Sequence, residues 1–206
     1  MSKVFFDIAV SLDGFVAGDH RGPHNTIGDG GMALHQWMFV QKAFWEHLGV
    51  DDGQEDGPDG KIIRDVIART GTCIMGKRMF EEGEPNWPEN LFKSDVYVLT
   101  HEKRSPWIQK GNTTFYFIND GIASALGKAR ESAGRKDIRI MGGAETIQQF
   151  LNAGVVDECI LHLTPVLLGS GKRLFDKIHM DQFEFAISGV TQSARTTHLF
   201  YTIRNK

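Results

Sequence analysis

Ile140-Met141-Gly142-Gly143-Ala144-Glu145-Thr146 is the stretch that decides how this chain folds: an apolar strand runs through two glycines into a helix carrying Ile147, Phe150 and Leu151 on one side. Glycine lets a backbone approach an anion closely, and the unpaired N–H groups and dipole of a helix start face that anion. The segment is therefore a candidate pyrophosphate cradle, although two glycines before a helix also fit plain turn chemistry. It is neither the dinucleotide G-x-G-x-x-G nor a P-loop. Gly169-Ser170-Gly171-Lys172 is not a P-loop either, because Val166 stands where the earlier glycine is required and no Ser or Thr follows the lysine.

Outward from this segment, short β-branched runs alternate with amphipathic stretches, the pattern of an α/β domain on a largely parallel sheet. Strands are expected at Val4 to Ser11, Thr72 to Met75, Asp95 to Leu99, Thr114 to Ile118, Asp137 to Met141 and Glu158 to Thr164. A helix beginning near Asp59, with the stripe Ile62, Ile63, Val66 and Ile67, should stop at Gly71. Others are expected from about Asp120 to Ala133 and from Ala144 to Ala153. Phe183 to Val190 and Thr196 to Arg204 alternate like an antiparallel hairpin, which makes the sheet mixed. Residues 19 to 58 do not read as a simple crossover. Leu34 to Leu48 reads as one helix there, and the acidic, glycine-rich tail 51 to 58 as a solvated mobile loop rather than a metal site.

The chain has 206 residues and a formal net charge of −3, enough for one buried core and without the clustered basic surface that nucleic acid requires. No linker divides it, so a single domain over 1–206 is expected, with a small molecule as its partner. The opening Val4-Phe5-Phe6-Asp7-Ile8 is too short and too interrupted for a signal peptide or membrane span, which points to the cytoplasm and to no membrane partner. Cys73 and Cys159 lie in apolar strand-like runs and read as buried free thiols, not as a disulfide or metal pair.

Two further strands end in basic groups. Ile74-Met75-Gly76-Lys77-Arg78-Met79-Phe80 passes through glycine into another possible helix start, and Leu99-Thr100-His101-Glu102-Lys103-Arg104 leaves a strand with a hydroxyl, an imidazole and two cations. Ligands of open α/β sheets bind beyond the carboxyl ends of the strands. Arginine and lysine placed there could hold a ribose 2'-phosphate through charge-assisted bonds, favouring NADP over NAD; each is also compatible with a solvated surface charge.

These segments, in this order, resemble the dihydrofolate reductase-like superfamily and specifically the reductase domain of bacterial riboflavin biosynthesis, the RibD C-terminal family. The likeness rests on Ser11-Leu12-Asp13-Gly14-Phe15-Val16-Ala17-Gly18, Met75 to Phe80, Val98-Leu99-Thr100, Met141-Gly142-Gly143-Ala144, and Val156-Asp157-Glu158 followed by Thr164 to Phe175. It implies a three-layer α/β/α fold with a mixed, mostly parallel central sheet and a C-terminal antiparallel hairpin, NADPH as cofactor, and a homodimer. It places Ala9 and Val10 near the nicotinamide, with Asp13, Gly14, Phe15, Ala17 and Gly18 in the loop over the reacting ring. Gly76, Lys77, Arg78 and Met79 would hold phosphates, and Leu99, Thr100, His101, Lys103 and Arg104 the adenosine and its 2'-phosphate. Met141, Gly142, Gly143, Ala144, Glu145 and Thr146 would hold the pyrophosphate. No metal is implied.

The chain lacks the H-x-E and P-C-x-x-C zinc ligands of the deaminase often fused to riboflavin-type reductases, so it reads as a stand-alone reductase domain. The insertion at about 19–58 occupies the region where those enzymes place substrate contacts, which leaves the substrate open. Dihydrofolate reductases bury a carboxylate on the helix after the first loop. On Leu34 to Leu48 the central polar residue is Gln41, and an amide cannot supply a proton. Gln41 with Trp37, Met38 and Phe15 is expected to face substrate, and Asp13 is the candidate proton donor, bound water being its rival and a turn-forming role the other reading of an aspartate before glycine. The expected activity is hydride transfer to a small carbonyl, imine or pterin-like compound. The competing readings are a non-catalytic NADP(H)-binding or sensing domain and an atypical dihydrofolate reductase.

Overall fold

The computed structural model describes residues 2–206, save the Met180 side chain. In chain order the strands are β1 Val4–Ser11, β2 Phe15–Ala17, β3 Thr70–Gly76, β4 Val96–Leu99, β5 Trp107–Ile108, β6 Thr114–Ile118, β7 Asp137–Gly142, β8 Glu158–Thr164, β9 Lys172–Arg173, β10 Phe183–Gln192 and β11 Thr197–Asn205. The α-helices are α1 Gln36–Phe39, α2 Lys42–Leu48, α3 Pro58–Arg69, α4 Lys77–Gly83, α5 Ile122–Ala133 and α6 Ala144–Asn152. Nine strands form one sheet in the order β10-β11-β8-β1-β7-β3-β4-β6-β5, and β2 pairs with β9 apart from it. The strands from β8 to β6 in that order run parallel, while β5 on one edge and the β11–β10 hairpin on the other are antiparallel.

Side chains alternate across a strand, and β1 shows what each face does. Val4, Phe6 and Val10 pack with Ile74, Ile138 and Ile140 beneath Ala125, Leu126 and Ala129 of α5 and Ile147, Phe150 and Leu151 of α6. Phe5 points the other way, against Ile62 and Val66 of α3. Further along that second face Cys73, Met75 and Phe115 meet Phe80 of α4. Helices on both faces of a mixed sheet make the three-layer α/β/α arrangement anticipated. Cys73 and Cys159 are buried free thiols, with burial pushing them up to about 11 and about 12.

The insertion differs from expectation. Leu34 to Leu48 is broken into a 3-10 turn over Gly31–His35, then α1, then α2, because Gln41 is extended (φ −86°, ψ 131°). The break is filled by the acidic tail: Gln54 and Glu55 N–H groups donate to Val40 O at 2.8 and 2.9 Å, and Lys42 N–H to Glu55 O at 2.9 Å. Glu55 pairs with Arg195 and Asp56 with Arg64, so the segment expected to be a mobile loop is tied down at both its backbone and its charges. Gly71 stops no helix; the chain turns extended at Thr70 and Gly71 lies inside β3.

Candidate functional site

The carboxyl ends of β3, β4, β6 and β7 open into a cleft of ≈ 530 Å³. Three of the expected segments meet in it: Gly76-Lys77-Arg78-Met79, Leu99-Thr100-His101, and Gly143-Ala144-Glu145-Thr146. Arg21, Glu81, Ile118, Asn119, Gly121, Ile122, Gln149 and Lys172 complete the wall. Gly121 and Gly143 start α5 and α6, so two helix N-termini look into the same space.

Close approach explains the glycines. A Cβ on Gly76 would stand 2.4 Å from Thr146 Oγ1, so β3 and the start of α6 can touch only through glycine. Gly142 has φ +120°, which favours glycine, and is followed by a cis peptide bond to Gly143. A Cβ on Gly143 would meet only Arg21 Nη1, at 3.8 Å. The wall carries four basic side chains, Arg21, Lys77, Arg78 and Lys172, against the carboxylates of Glu81 and Glu145. Lys77 is raised by hydrogen bonds to Glu102 and Glu81, and Glu145 is lowered by Lys172. Arg78 is exposed and makes no ion pair among the described residues. Glycine turns, helix starts and an excess of cations suit a phosphorylated dinucleotide.

Other expected contacts lie elsewhere. Lys103 is exposed and outside the lining. Arg104 pairs with Glu84 and lies 4.5 Å over the Phe117 ring, which removes it from the cleft. Met141 packs against the β3–β4 core rather than the cleft. Ala9, Val10, Gly14, Phe15, Ala17 and Gly18 are also outside the lining. Ala9 and Val10 are buried at the end of β1, and Phe15 is buried beneath the Arg173 guanidinium, 4.2 Å from its ring centre. Phe15 thus faces a cation of its own chain instead of an open substrate pocket.

Asp13 has the turn-forming role. Its carboxylate accepts from Ser11 Oγ (2.5 Å), Gly169 N–H (2.7 Å) and Leu168 N–H (3.2 Å). The Ser11 bond first, then these amides, bring its pKa down to about 2. A carboxylate so held is ionised at neutral pH and has no proton to give, which corrects the expectation that Asp13 is the acid.

A buried carboxylate does exist, at the start of α3. Asp59 is 3% exposed; its Oδ1 lies 2.9 Å from His198 Nε2, and its Oδ2 accepts from Ser193 Oγ at 3.0 Å. His198 Nδ1 is 2.7 Å from His162 Nδ1, and His162 Nε2 is 3.4 Å from Asp7 Oδ2, which is in turn held by Arg139. Burial raises and Arg139 lowers Asp7, with His162 adding to the lowering, and the net result is well below the usual carboxylate range. Burial lowers His198 against the opposing pull of Asp59. The Trp37 ring lies 4.7 and 5.1 Å from the two imidazoles.

Asp59 and Ser193 open into a second cavity, of ≈ 560 Å³, with Gln41, Glu55, Asp56 and Arg195. Gln41 therefore lines a cavity, donating from Nε2 to Glu55 Oε2 at 3.1 Å. Trp37 and Met38 line neither cavity and serve as packing, Trp37 on the histidines and Met38 against Trp37, Ala43 and Ile63. Among the described residues, no cluster of three or more metal-ligating side chains occurs, and no helix is long and apolar enough to cross a membrane.

Comparison with known proteins places this architecture among dihydrofolate reductase-like folds. A dihydrofolate reductase of Enterococcus faecalis complexed with NADP(H) superposes with a TM-score of 0.56 at 13% identity, over 99% of this chain and 96% of that one. A pyrimidine reductase-like protein of Corynebacterium diphtheriae does so with a TM-score of 0.61 at 11% identity, over 100% and 93%. The Bacillus subtilis (strain 168) protein YyaP is 27% identical over 180 residues, 84% of this chain and 80% of the relative. The model of the RibD C-terminal domain matches residues 2–199, and the chain belongs to that family.

Proposed function

We propose that this chain is an NADPH-dependent reductase that transfers a hydride to a small organic substrate. The observation that carries the reading is the convergence of Gly76-Lys77-Arg78, Thr100-His101 and Gly143-Ala144-Glu145-Thr146 on one cleft with an excess of basic side chains. Family membership and the NADP(H) bound by a protein of the same fold support it. Gly143 to Thr146, with the start of α6, would hold the pyrophosphate, and Arg78 the 2'-phosphate. When bound, NADPH supplies the hydride; the chain's part is to hold, align and exclude water. The substrate proton would come from water.

Calorimetry on phosphate-free protein tests this, with NADPH expected to bind more tightly than NADH. Equal affinity, or no uptake of either, would overturn it. Asp59 also favours a second reading, an atypical dihydrofolate reductase, because the buried acid that Leu34 to Leu48 lacks is present on α3. NADPH consumption with dihydrofolate, lost in Asp59→Asn, is its expected signature. Stoichiometric NADPH binding without oxidation by carbonyl, imine and pterin compounds would instead mark a binding or sensing domain.

A further inference from the structure

Arg21 belongs to the insertion, far in sequence from the other cleft residues, yet its side chain forms part of the cleft wall. The loop that carries it is compact. Gly18 N–H donates to Ile27 O and Asp29 N–H to Asp19 O, each at 2.9 Å, while Gly22 and Asn25 bond each other in both directions. Residues 18–29 therefore form a closed hairpin-like flap. It is fastened to the end of α4 by Arg21 Nη2 to Glu82 Oε2 (2.5 Å), and beyond α4 by Asn86 Nδ2 donating to Pro23 O (3.2 Å).

The ion pair is largely withdrawn from water, the Arg21 and Glu82 side chains being 18% and 7% exposed. A buried carboxylate strongly disfavours losing its partner, so Glu82 holds the guanidinium in one orientation. Nη2 serves Glu82 and Nε leans toward Thr26 O at 3.4 Å. Nη1 has no hydrogen-bond partner among the described residues, and it lies 3.8 Å from the point a Gly143 Cβ would occupy. The free edge of a fixed cation thus faces the turn best suited to a phosphate.

We propose that Arg21 is a dinucleotide-phosphate clamp, donating from Nη1 to a phosphoryl oxygen seated at Gly142–Gly143 and fixing the 18–29 flap over the bound cofactor. This rests on the NADPH reading above. A guanidinium suits the task because its planar fork can serve one anion on each edge, which an ammonium point charge does less well.

The test is calorimetry with NADPH on the full chain, comparing wild type, Arg21→Met, Glu82→Gln and the double variant. Arg21→Met alone strands a buried charge and can fail to fold; the double variant removes both charges. The clamp predicts that the double variant binds NADPH about tenfold or more weakly, the loss of one charge-assisted bond, while Glu82→Gln stays within about twofold of wild type or binds more tightly. Hydrogen exchange at residues 19–29 should slow on adding NADPH to wild type and not to the double variant. A merely structural Arg21 would make Glu82→Gln as damaging as the double variant, and that result overturns the proposal. Wild-type affinity in the double variant also overturns it while leaving the NADPH reading intact, whereas a wild type that binds no NADPH overturns both.

Discussion

Gly76→Ala isolates the steric reason for a glycine at the cleft floor. Gly76 has an ordinary extended backbone, φ −83° and ψ 155°, so alanine meets no conformational barrier and any penalty must come from packing. The new Cβ would lie 2.4 Å from Thr146 Oγ1. Comfortable contact needs roughly 3.5 Å, so one of the two elements must retreat by about 1 Å. Thr146 is 5% exposed and its N–H is tied to Gly143 O at 3.0 Å, which leaves it little room to move. Overpacking of this kind costs about 1–3 kcal/mol, or about 2–12 °C of melting temperature for a chain of this size. NADPH affinity should fall with it, because the displaced residue belongs to the proposed pyrophosphate site. Thr146→Ala removes the obstructing atom, so the double variant Gly76→Ala/Thr146→Ala should be more stable than the sum of the single effects by about 1 kcal/mol or more. Urea unfolding followed by tryptophan fluorescence measures all four corners of this cycle. An unchanged midpoint in Gly76→Ala, or additive single effects, would refute the steric account.

Acid should weaken the fold before the carboxylates titrate. Burial, and then the nearby His162, push His35 down to about 4, and burial also lowers His47 and His198. The unfolded chain therefore binds protons first as pH falls below about 6.5, so stability is full above that pH and is lost toward 4, with His35 contributing on the order of 3 kcal/mol; urea midpoints at pH 7.5 and 5.0 should differ less in His35→Asn. Cys73 and Cys159 should react with a disulfide reagent only after urea unfolding, and rapid labelling of native protein would contradict their burial. The proposed homodimer has a place to be tested on edge strand β10, where Ile187 is 70% and Val190 58% exposed; Ile187→Glu should shift sedimentation to the monomer, and an unchanged oligomer would move the interface elsewhere. Asp59→Asn should move the ¹⁵N resonances of both His198 and His162, since an amide no longer enforces a proton on His198 Nε2; unmoved signals would break the chain drawn between them.

The regular sheet was legible because its signals are local. β1, β6 and β8 fall where alternation and flanking turns put them, and α5 and α6 begin within two residues of the positions read from sequence. The turn from β7 into α6 was legible for the same reason, a strand, two glycines and a helix being contiguous. What escaped was set by distant partners. Nothing within Leu34 to Leu48 announces the break at Gln41, because it is stabilised by Gln54 and Glu55 folding back on Val40. Phe15–Ala17 and Lys172–Arg173 are too short to read as strands until they pair with each other. Arg21 reaches the cleft from a loop and Lys172 from the short strand β9, neither with a phosphate motif, and Asp59 looked like a helix-start residue because that is also where it sits.

The position of Asp59 changes what the insertion is for. One N–H must lie between His162 Nδ1 and His198 Nδ1, which are 2.7 Å apart. Each ring turns its Nε2 toward a carboxylate, His198 toward Asp59 and His162 toward Asp7. The row of groups thus runs from Asp7 on β1 across β8 and β11 to Asp59 on α3. Trp37 covers the rings and Gln41 and Glu55 wall the cavity at the Asp59 end, and all three come from the insertion. Arg21, from the same insertion, stands at the cofactor cleft. A segment that reads as an irregular interruption of an α/β pattern therefore supplies side chains to both ends of the proposed reaction. Changes confined to residues 19 to 58 could then redirect substrate choice while the glycine cradle and the parallel sheet stay as they are.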